Sequence, residues 1–453
     1  MVRGRCTALR ASGRLGTPAP WSWLRTLGCA VIVSAAAVIG NSPLRVTAAS
    51  VSSVIVVFQD HVTGAATGEL ERGLAFAADH IYSAALQGFA ARLTPTQVAL
   101  IRADPRVAFV AVDGVFNALG EPVMVGDLAP SGVRRIEAAS ATVAAPASAV
   151  SVAVLDTGVD LGHPDLNAID GKTCVRGTKS AQDDNGHGTH VSGTIAARNN
   201  GTGLIGVAPG TRLIAVKVLD QSGRGTTAQA ICGIDWVAAH AKSLNILVAN
   251  LSFSGVGASD RDCGRTTRDA LHKAICATVE RGVTFVAAAG NDASDFAAVL
   301  PAAYPEVLSV TAMADSDGTP GGLGNPPSCA PSETDDARAA FSNFAVAPTD
   351  AMHTIAAPGV CIASTWLGGN YAVASGTSMA APHVSGAVAL CLGTVLGAGP
   401  CAGLAPSAVI ERMRQDAAAR AAVREGTPYG FAGDPSQPLG RAYYGFLVWS
   451  GRH

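Results

Sequence analysis

The pattern of apolar positions changes character near residue 150. Beyond it, short apolar runs without alternation are separated by stretches with helical spacing. Such runs are typical of parallel strands buried on both faces, and the stretches between them of crossover helices. The runs are Val152–Leu155, Leu213–Val218, Ile246–Leu251 and Val283–Ala288, and the helices start at His187, at Thr226, at Thr267, near Ser378 and near Pro406. This order predicts an α/β fold, a doubly wound and mostly parallel sheet flanked by helices.

A smaller α+β domain is predicted over residues 50–116. Apolar stretches at Val54–Phe58, Ala90–Leu93 and Arg106–Val112 predict strands, and 68–80 has helical spacing. A second helix is expected from Thr94, because Thr94, Pro95 and Gln97 form the pattern of a capped first turn. Residues 117–149 are rich in Gly, Pro and Ala, which indicates a linker and the start of the main domain at 150–453. Within that domain, 315–340 is polar and predicts a surface insertion.

The first 49 residues are typical of a secretory signal peptide. Six arginines and no acid precede or flank the apolar run 27–40, which is too short to span a bilayer comfortably. Small residues at Thr47, Ala48 and Ala49 offer a cleavage site. A permanent anchor and a lipoprotein are the alternatives, and Cys29 opens the apolar run instead of closing it. We therefore expect a secreted, extracellular protein that has no membrane partner after the signal is removed.

Charge and cysteine content agree with export. The formal net charge of -2 becomes -2 - 6 = -8 without the six arginines, which excludes the basic face that nucleic-acid binding requires. Eight of the ten cysteines remain after position 49, and none forms a C-x-x-C pair, so disulfides are favoured over zinc. Eight cysteines allow 105 pairings. Proximity along the chain suggests Cys263–Cys276, Cys329–Cys361 and Cys391–Cys401, which leaves Cys174–Cys232.

Three short segments carry the candidate chemistry. An apolar strand ends in Asp156, glycines surround His187 at a helix start, and Ser378 lies where a loop becomes a helix. A serine hydroxyl becomes a nucleophile when a neighbouring base accepts its proton, and imidazole titrates near neutrality. A buried carboxylate holds the imidazole in one tautomer and stabilises the imidazolium. These three residue types together predict nucleophilic catalysis at Ser378, with His187 as general base and Asp156 orienting that base.

In the order Asp…His…Ser, the three segments resemble the signature blocks of the subtilase family of serine peptidases, nearest to the branch that contains proteinase K. The similarity runs from about 130 to about 447, and 86–91 is similar to the inhibitory propeptide that precedes such domains. The resemblance implies a ferredoxin-like propeptide domain and a secreted serine endopeptidase made as a self-processed zymogen. Its partners would be polypeptide substrates and its own propeptide. We expect a monomer.

The resemblance also implies further site residues. Asn291 matches the asparagine whose side chain points into the oxyanion hole, where a fixed amide stabilises the negative charge of the tetrahedral intermediate. Two edge segments and the Asn291 block would bind an extended peptide through Gly223, Arg224, Gly225, Ser252, Phe253, Ser254, Gly255, Ala288 and Gly290. Most relatives carry glycine where Ser254 stands, so the family's preference for large apolar P1 residues does not transfer directly.

No cofactor is expected for the chemistry, and the metal content is left unknown. Structural calcium is common in the family, but His353 and its neighbours stand where a ligand Asp often precedes the Ala356–Gly359 block, so no ligands are named.

Several alternatives stay open at the residue level. His187 and His190 lie three residues apart and could bind a metal, although no third ligand is evident. His190 and His383 are more typical of buried structural histidines. Asp183 and Asp184 could bind a cation, but they are more typical of residues that hold the His187 loop.

Two other functions compete with the endopeptidase. Acid-active relatives use a Ser-Glu-Asp triad, but they lack the histidine block at 185–191. A catalytically silent binding protein with the same fold would not need the four reactive residues, all of which are present.

Overall fold

A computed structural model describes residues 51–118, 123–124, 129–140, 143–423 and 426–451. The predicted signal peptide at 1–49 lies outside the described residues. Among the helices within them, none combines the length and the apolar composition that crossing a membrane requires.

The N-terminal domain is a four-stranded antiparallel sheet with two helices, in the strand order β2-β3-β1-β4. Thr94 accepts the backbone N–H of Gln97, and the Gln97 side chain accepts the backbone N–H of Thr94, as the capped first turn predicts. The strand β2 was not expected, since its three residues are too short to show a period. In chain order the elements are β1 (Ser52–Phe58), α1 (Ala65–Leu74), β2 (His80–Tyr82), β3 (Gly88–Leu93), α2 (Pro95–Arg102) and β4 (Val107–Val112).

The segment after this domain contains regular structure that its composition does not suggest. Two short strands, β5 (Val115–Ala118) and β6 (Val123–Met124), are followed by the helix α3 (Ser131–Arg135). Both strands pair with the main domain, β5 with two edge strands and β6 with one.

The main domain begins with a buried strand and alternates strands with helices. In chain order its elements are β7 (Ser151–Asp156), β8 (Ala168–Thr173), α4 (His187–Ala196), β9 (Leu213–Lys217), β10 (Arg224–Thr226), α5 (Thr227–His240), β11 (Ile246–Leu251), β12 (Phe253–Val256), α6 (Ala270–Val279), β13 (Thr284–Ala288), β14 (Val299–Leu300), β15 (Val307–Ala314), β16 (Ala337–Arg338), α7 (Pro348–Ala351), β17 (Thr354–Pro358), β18 (Ile362–Trp366), β19 (Asn370–Ala374), α8 (Thr377–Leu392), β20 (Gly393–Thr394), β21 (Gly397–Ala398) and α9 (Pro406–Ala421).

The central sheet has eight strands in the order β16-β15-β13-β11-β7-β9-β8, with β17 beside β15, and every pair except β15–β16 is parallel. Successive side chains of a strand point to opposite faces. On β7, Val152 and Val154 pack towards α4 and α8, whereas Ala153 and Leu155 pack towards α5 and α6. Burial on both faces explains the apolar runs without alternation, and the doubly wound α/β prediction is confirmed.

The N-terminal domain packs on the α5 and α6 side of this sheet. One face of its own sheet forms a separate small core, and the other face joins the core beneath α5 and α6. Tyr82 is fully buried there, and its hydroxyl donates to the carbonyl oxygen of Ala228 at 2.9 Å.

The eight cysteines form the four disulfides suggested by their order along the chain. The bonds are Cys174–Cys232, Cys263–Cys276, Cys329–Cys361 and Cys391–Cys401. All except the third join mostly buried sulfur atoms, whereas Cys329 lies exposed within 315–340.

Candidate active site

The carboxyl edge of the parallel sheet brings the Asp156 and His187 side chains together. Asp156 is the last residue of β7 and is fully buried, and His187 is the first residue of α4. The His187 Nδ1 lies 2.7 Å from Asp156 Oδ1. Since an ionised carboxylate can only accept, Nδ1 is the donor, which leaves Nε2 as the ring nitrogen that can take up a proton.

The approach of α4 to β7 depends on glycine. A Cβ on Gly188 would overlap the carbonyl oxygen of Gly158 and lie 3.0 Å from the Asp156 Cβ. Gly186 has φ 111°, and a Cβ there would overlap the Trp366 ring. Both positions therefore exclude a side chain, which explains the glycines on either side of the candidate base.

A polar network fixes the loop that precedes His187. Asp183 accepts the Thr157 hydroxyl at 2.8 Å and the backbone N–H groups of Gly186 and Thr189 at 3.0 Å each. Thr157 in turn accepts the Gly188 N–H at 2.9 Å. Asp183 thus ties the end of β7 to the start of α4, which is the structural role expected from the sequence.

Lys217 completes this network and was missed by the sequence analysis. It pairs with Asp156 across β9 and β7, and its fully buried ammonium donates to the carbonyl oxygens of Thr157 (2.5 Å) and Leu219 (3.0 Å) and to Asp184 (2.6 Å). A lysine that ends an apolar run gives no sign of its contacts until the strand register is known.

The two competing histidines form bonds only to backbone among the contacts described. His190 Nε2 donates to the carbonyl oxygen of Ile362 at 2.9 Å, and His383 Nδ1 to that of Met379 at 2.8 Å. Full burial lowers the pKa of His190 to about 3 and that of His383 to about 4. Both rings are neutral at neutral pH and structural, as expected.

Ser378 is the second residue of α8, which begins at Thr377. Its hydroxyl donates to the carbonyl oxygen of Ser252 at 3.0 Å, and the Ser252 hydroxyl donates to the carbonyl oxygen of Ser378 at 2.9 Å. Ser378 therefore sits at the start of a long helix, where backbone N–H groups lack intrahelical acceptors and favour developing negative charge.

Asn291 follows β13 and faces the same helix start. Its Oδ1 accepts the backbone N–H of Thr377 at 2.9 Å and the Thr377 hydroxyl at 2.8 Å. With the oxygen held by Thr377, the amide nitrogen is the atom left to donate elsewhere. Thr377 is a second residue that sequence reasoning missed, although it directly precedes Ser378.

The two expected edge segments lie on either side of the chain's own strand β5. Arg224, Gly225 and Thr226 of β10 pair antiparallel with residues 117, 116 and 115. Phe253 and Ser254 of β12 pair antiparallel with residues 118 and 117. Gly223, Ser252 and Gly255 adjoin these pairs. The segment that follows the N-terminal domain therefore lies between both strands as an added strand, the arrangement expected of an extended peptide.

Comparison with known proteins places this geometry in a family. A model described as the subtilase family matches residues 147–424, and one described as peptidase inhibitor I9 matches residues 71–117. The chain belongs to the subtilase family. An alkaline protease from Alkalihalobacillus alcalophilus is 37% identical to this subtilase over 299 residues, 66% of this chain and 67% of the relative. Subtilisin E from Bacillus subtilis (strain 168) is 39% identical over 308 residues, 67% and 70% of the two chains.

A solved structure supports the fold of this subtilase. A cold-adapted subtilisin-like serine proteinase is 30% identical, with a TM-score of 0.52 over 72% of this chain and 99% of that chain. The chain is therefore a serine protease with an inhibitor-type propeptide domain. The relatives named above are subtilisins and alkaline proteases, so the placement beside proteinase K stays a prediction.

The remaining expected contact residues of this subtilase lie on or directly after β12 and β13. Ala288 ends β13 fully buried, and Gly290 has φ 103°, where a Cβ would overlap the Asn343 amide. Ser254 is partly exposed on β12 and pairs with residue 117.

Two groups of residues within the described chain could in principle hold a metal ion. Cys263, His272, Cys276 and Glu306 lie close together, but the two sulfur atoms are joined in a disulfide, and both nitrogens of His272 contact carboxylates. That set does not fit a metal.

The second group is Asp315, Asp317 and Asp335, whose oxygens suit a hard cation such as calcium. Their oxygens already accept backbone N–H groups of Gly318, Thr319 and Ser316. The arrangement of these carboxylates is thus explained without an ion.

Proposed function

We propose that this subtilase is an exported serine endopeptidase, made as a zymogen, that hydrolyses peptide bonds through an Asp156–His187–Ser378 triad. The observation that carries the proposal is the 2.7 Å contact between His187 Nδ1 and the buried Asp156. This contact leaves Nε2 as the base. No other histidine in the described chain combines a carboxylate partner with a position at the sheet edge that holds Ser378 and Asn291.

The reaction has two steps. Ser378 Oγ attacks the peptide carbonyl carbon while His187 takes its proton, and the imidazolium then protonates the departing amine, which leaves an acyl-enzyme. Water, deprotonated by the same histidine, attacks the ester and releases the acid and the serine. The Asn291 amide and the backbone N–H of Ser378 stabilise the oxyanion in both steps. The protein's own side chains supply every proton transfer, so the chemistry needs no cofactor.

The propeptide would inhibit by occupying the cleft as a substrate does. The strand β5 lies between β10 and β12, and β6 pairs with β19, which leads to Ser378. The chain is therefore held on both sides of the nucleophile, and the bond to be cut lies between Ala118 and Val123. The last described pair, Ala118 with Phe253, adjoins Ser252, whose carbonyl oxygen accepts the Ser378 hydroxyl. We expect cleavage after Leu119.

Replacement of Ser378 tests the proposal. In Ser378→Ala, we expect no peptide hydrolysis and a precursor that keeps residues 50–119, whereas the parent enzyme should mature to a chain whose N-terminal sequencing begins at Gly120. A fluorophosphonate probe should label Ser378 of the mature parent. The control is Ser385→Ala on the same helix α8, which should mature normally. Self-processing by Ser378→Ala would refute the assignment, and an unlabelled parent would favour the silent binding protein.

We also propose that the mature enzyme acts outside the cell as a monomer. The relatives are named as alkaline proteases and subtilisins, and four disulfides suit an oxidising compartment. Structural calcium stays a proposal without named ligands.

A further inference from the structure

The strand β19 lies on the side of the cleft that would receive substrate residues following the scissile bond, the primed side. It leads through Ser375 and Gly376 into the helix that carries Ser378. One edge of β19 pairs with β6, through Val123–Val373 and Met124–Ala372. Because β5 fills the other side of the cleft, β6 shows where the chain runs beyond the cut.

The other edge of β19 is held by a disulfide. It pairs with β18, which begins directly after Cys361. The Cys361 backbone N–H donates to Ser375 Oγ at 2.9 Å, and that hydroxyl lies 3.8 Å from the Cys329 sulfur. Since a disulfide sulfur has no proton, the hydroxyl is the donor of the second contact. Ser375 thus contacts the backbone of one cysteine of the disulfide and the sulfur of the other, three residues before Ser378.

The sulfur of Cys329 is carried by an ordered insertion. Asp335 accepts the backbone N–H groups of Ser316 and Gly324 at 2.8 Å each. Asp336 forms a buried ion pair with Arg135 at 2.7 Å. Backbone contacts to two aspartates, one of them paired with a buried arginine, restrict this loop, so the insertion presents Cys329 to Ser375 from a fixed position.

The Cys329–Cys361 disulfide differs from the other three disulfides in its exposure. Of the eight cysteines in the described residues, Cys329 alone is exposed. By contrast, Cys391 and Cys401 have no exposed surface. The place of the Cys329–Cys361 disulfide beside Ser375 points to a role at the cleft.

We propose that Ser375 and the Cys329–Cys361 disulfide are positioning residues for the primed side of the substrate. They hold the segment between β19 and Ser378 at the spacing needed to pair with peptide residues after the scissile bond. This inference rests on the proposed function and deepens it. It assigns the 315–340 insertion to substrate selection, favouring peptides that extend well beyond the cut over substrates with a small leaving group.

Two substrates with identical residues before the scissile bond separate this role from general stability. One ends in a p-nitroanilide and has no primed residues, and the other is an internally quenched peptide with four residues after the cut. For Ser375→Ala and for Cys329→Ser/Cys361→Ser, we expect kcat/KM on the longer peptide to fall roughly 5- to 20-fold, with the anilide changed by less than about twofold. Fluorophosphonate titration sets the concentration of active enzyme in each preparation.

The matched control removes another disulfide. Cys263→Ser/Cys276→Ser should leave the ratio of the two kcat/KM values as in the parent, even if it lowers the yield of folded enzyme. An unchanged ratio in Ser375→Ala overturns the inference, and this variant keeps all four disulfides should the double variant not fold. A parent enzyme that is unlabelled and cleaves neither peptide overturns the proposed function itself, and the inference with it.

Discussion

Individual side chains of this site are oriented by neighbouring residues. Asp156 orients His187, Thr377 holds the oxygen of Asn291, and Lys217 holds the end of β7. Each bond removes rotational freedom before substrate arrives, and this preorganisation makes fixed donors effective in the transition state. Rate should therefore depend on these orienting contacts as well as on the reacting atoms.

Asn291, the proposed oxyanion donor, gives the first prediction at this scale. Asn291→Ala should lower kcat by ~10²–10³-fold with little change in KM, because the amide acts on charge that exists only in the transition state; the range is one measured in subtilisin, not one derived from this geometry. Steady-state kinetics on a peptide anilide measures both constants. The control is Asn325→Ala at an exposed position, which should match the parent. Asn343→Asp is not a suitable control, because the amide of this neighbouring residue forms hydrogen bonds to the backbone. A rise in KM alone would contradict the role.

The sequence points to the candidate catalytic residues but not to the residues that hold them in place. Asp156, His187, Ser378 and Asn291 each lie in a short block with recognisable neighbours. Lys217 lies in an apolar run and contacts its acceptors through strand pairing, and Thr377 gains its role from a loop 86 residues away. Contacts between distant segments depend on register and packing, which no local pattern contains.

Secondary-structure elements explain how the propeptide is held on the main domain. The Asp235 carboxylate on α5 accepts the backbone N–H groups of residues 83, 84 and 85 at 2.6 to 3.1 Å. On the same face, Asp113 accepts the N–H of Ala228 in the first turn of α5 at 2.6 Å. Hydrogen bonds to a charged group are worth more than neutral ones, so Asp235 should be a main determinant of inhibition.

The second prediction concerns this docking surface. Asp235→Ala in the mature enzyme should raise the inhibition constant of a separately produced 51–119 fragment by roughly 10- to 100-fold, since three N–H groups lose a charged acceptor. Slow-binding inhibition kinetics on a peptide anilide gives the constant. The matched control is Asp60→Ala in the fragment, which removes the exposed ion pair between Asp60 and Lys273. This change should alter the inhibition constant by less than about fivefold. Equal effects of the two variants would contradict the assignment.

At the element scale, apolar patterning predicted four of the eight strands of the central sheet, β7, β9, β11 and β13, and three of the four strands of the N-terminal sheet. It failed for β5 and β6. A strand that is buried on both faces, such as β7, is predominantly apolar along its length, and the sequence shows this directly. The strand β5 contains Asn117 and is ordered by backbone pairing with β10 and β12, which requires no particular side chain. Because the surrounding sequence is rich in Gly and Pro, the segment that contains β5 was predicted to be a linker.

The whole molecule carries a buried charge cluster that links the insertion to the start of the mature chain. Arg135 is fully buried, 2.7 Å from Asp336 and 3.8 Å from Asp315. Burial raises the pKa of Asp315 to about 7, against the opposing effect of the Arg135 charge. The folded protein thus holds a proton on Asp315 up to near neutrality, whereas the unfolded chain releases it near pH 4.

The third prediction is the resulting pH dependence of stability. Between about pH 4 and 7 the folded state binds the extra proton, so the free energy of unfolding should fall as pH rises through this range. In a Ser378→Ala background, Asp315→Asn should reduce the loss of stability between pH 5 and pH 8 by on the order of 3 kcal/mol. Denaturant titrations at both pH values measure it. The control is Asp317→Asn, at a half-exposed residue, which should keep the parent's dependence of the free energy of unfolding on pH. The same dependence in Asp315→Asn as in the parent would contradict the raised pKa of Asp315.

The position of β5 between β10 and β12 has a consequence for when activity appears. While the peptide link is intact, the inhibitor is tethered to its own cleft at an effective concentration that short linkers commonly place in the millimolar range. Once the link is cut, the same contacts act between two separate molecules, and their occupancy depends on dilution. We expect a newly cut enzyme to stay inhibited where the concentration of cleaved propeptide is high, and to become active as enzyme and propeptide are diluted by diffusion.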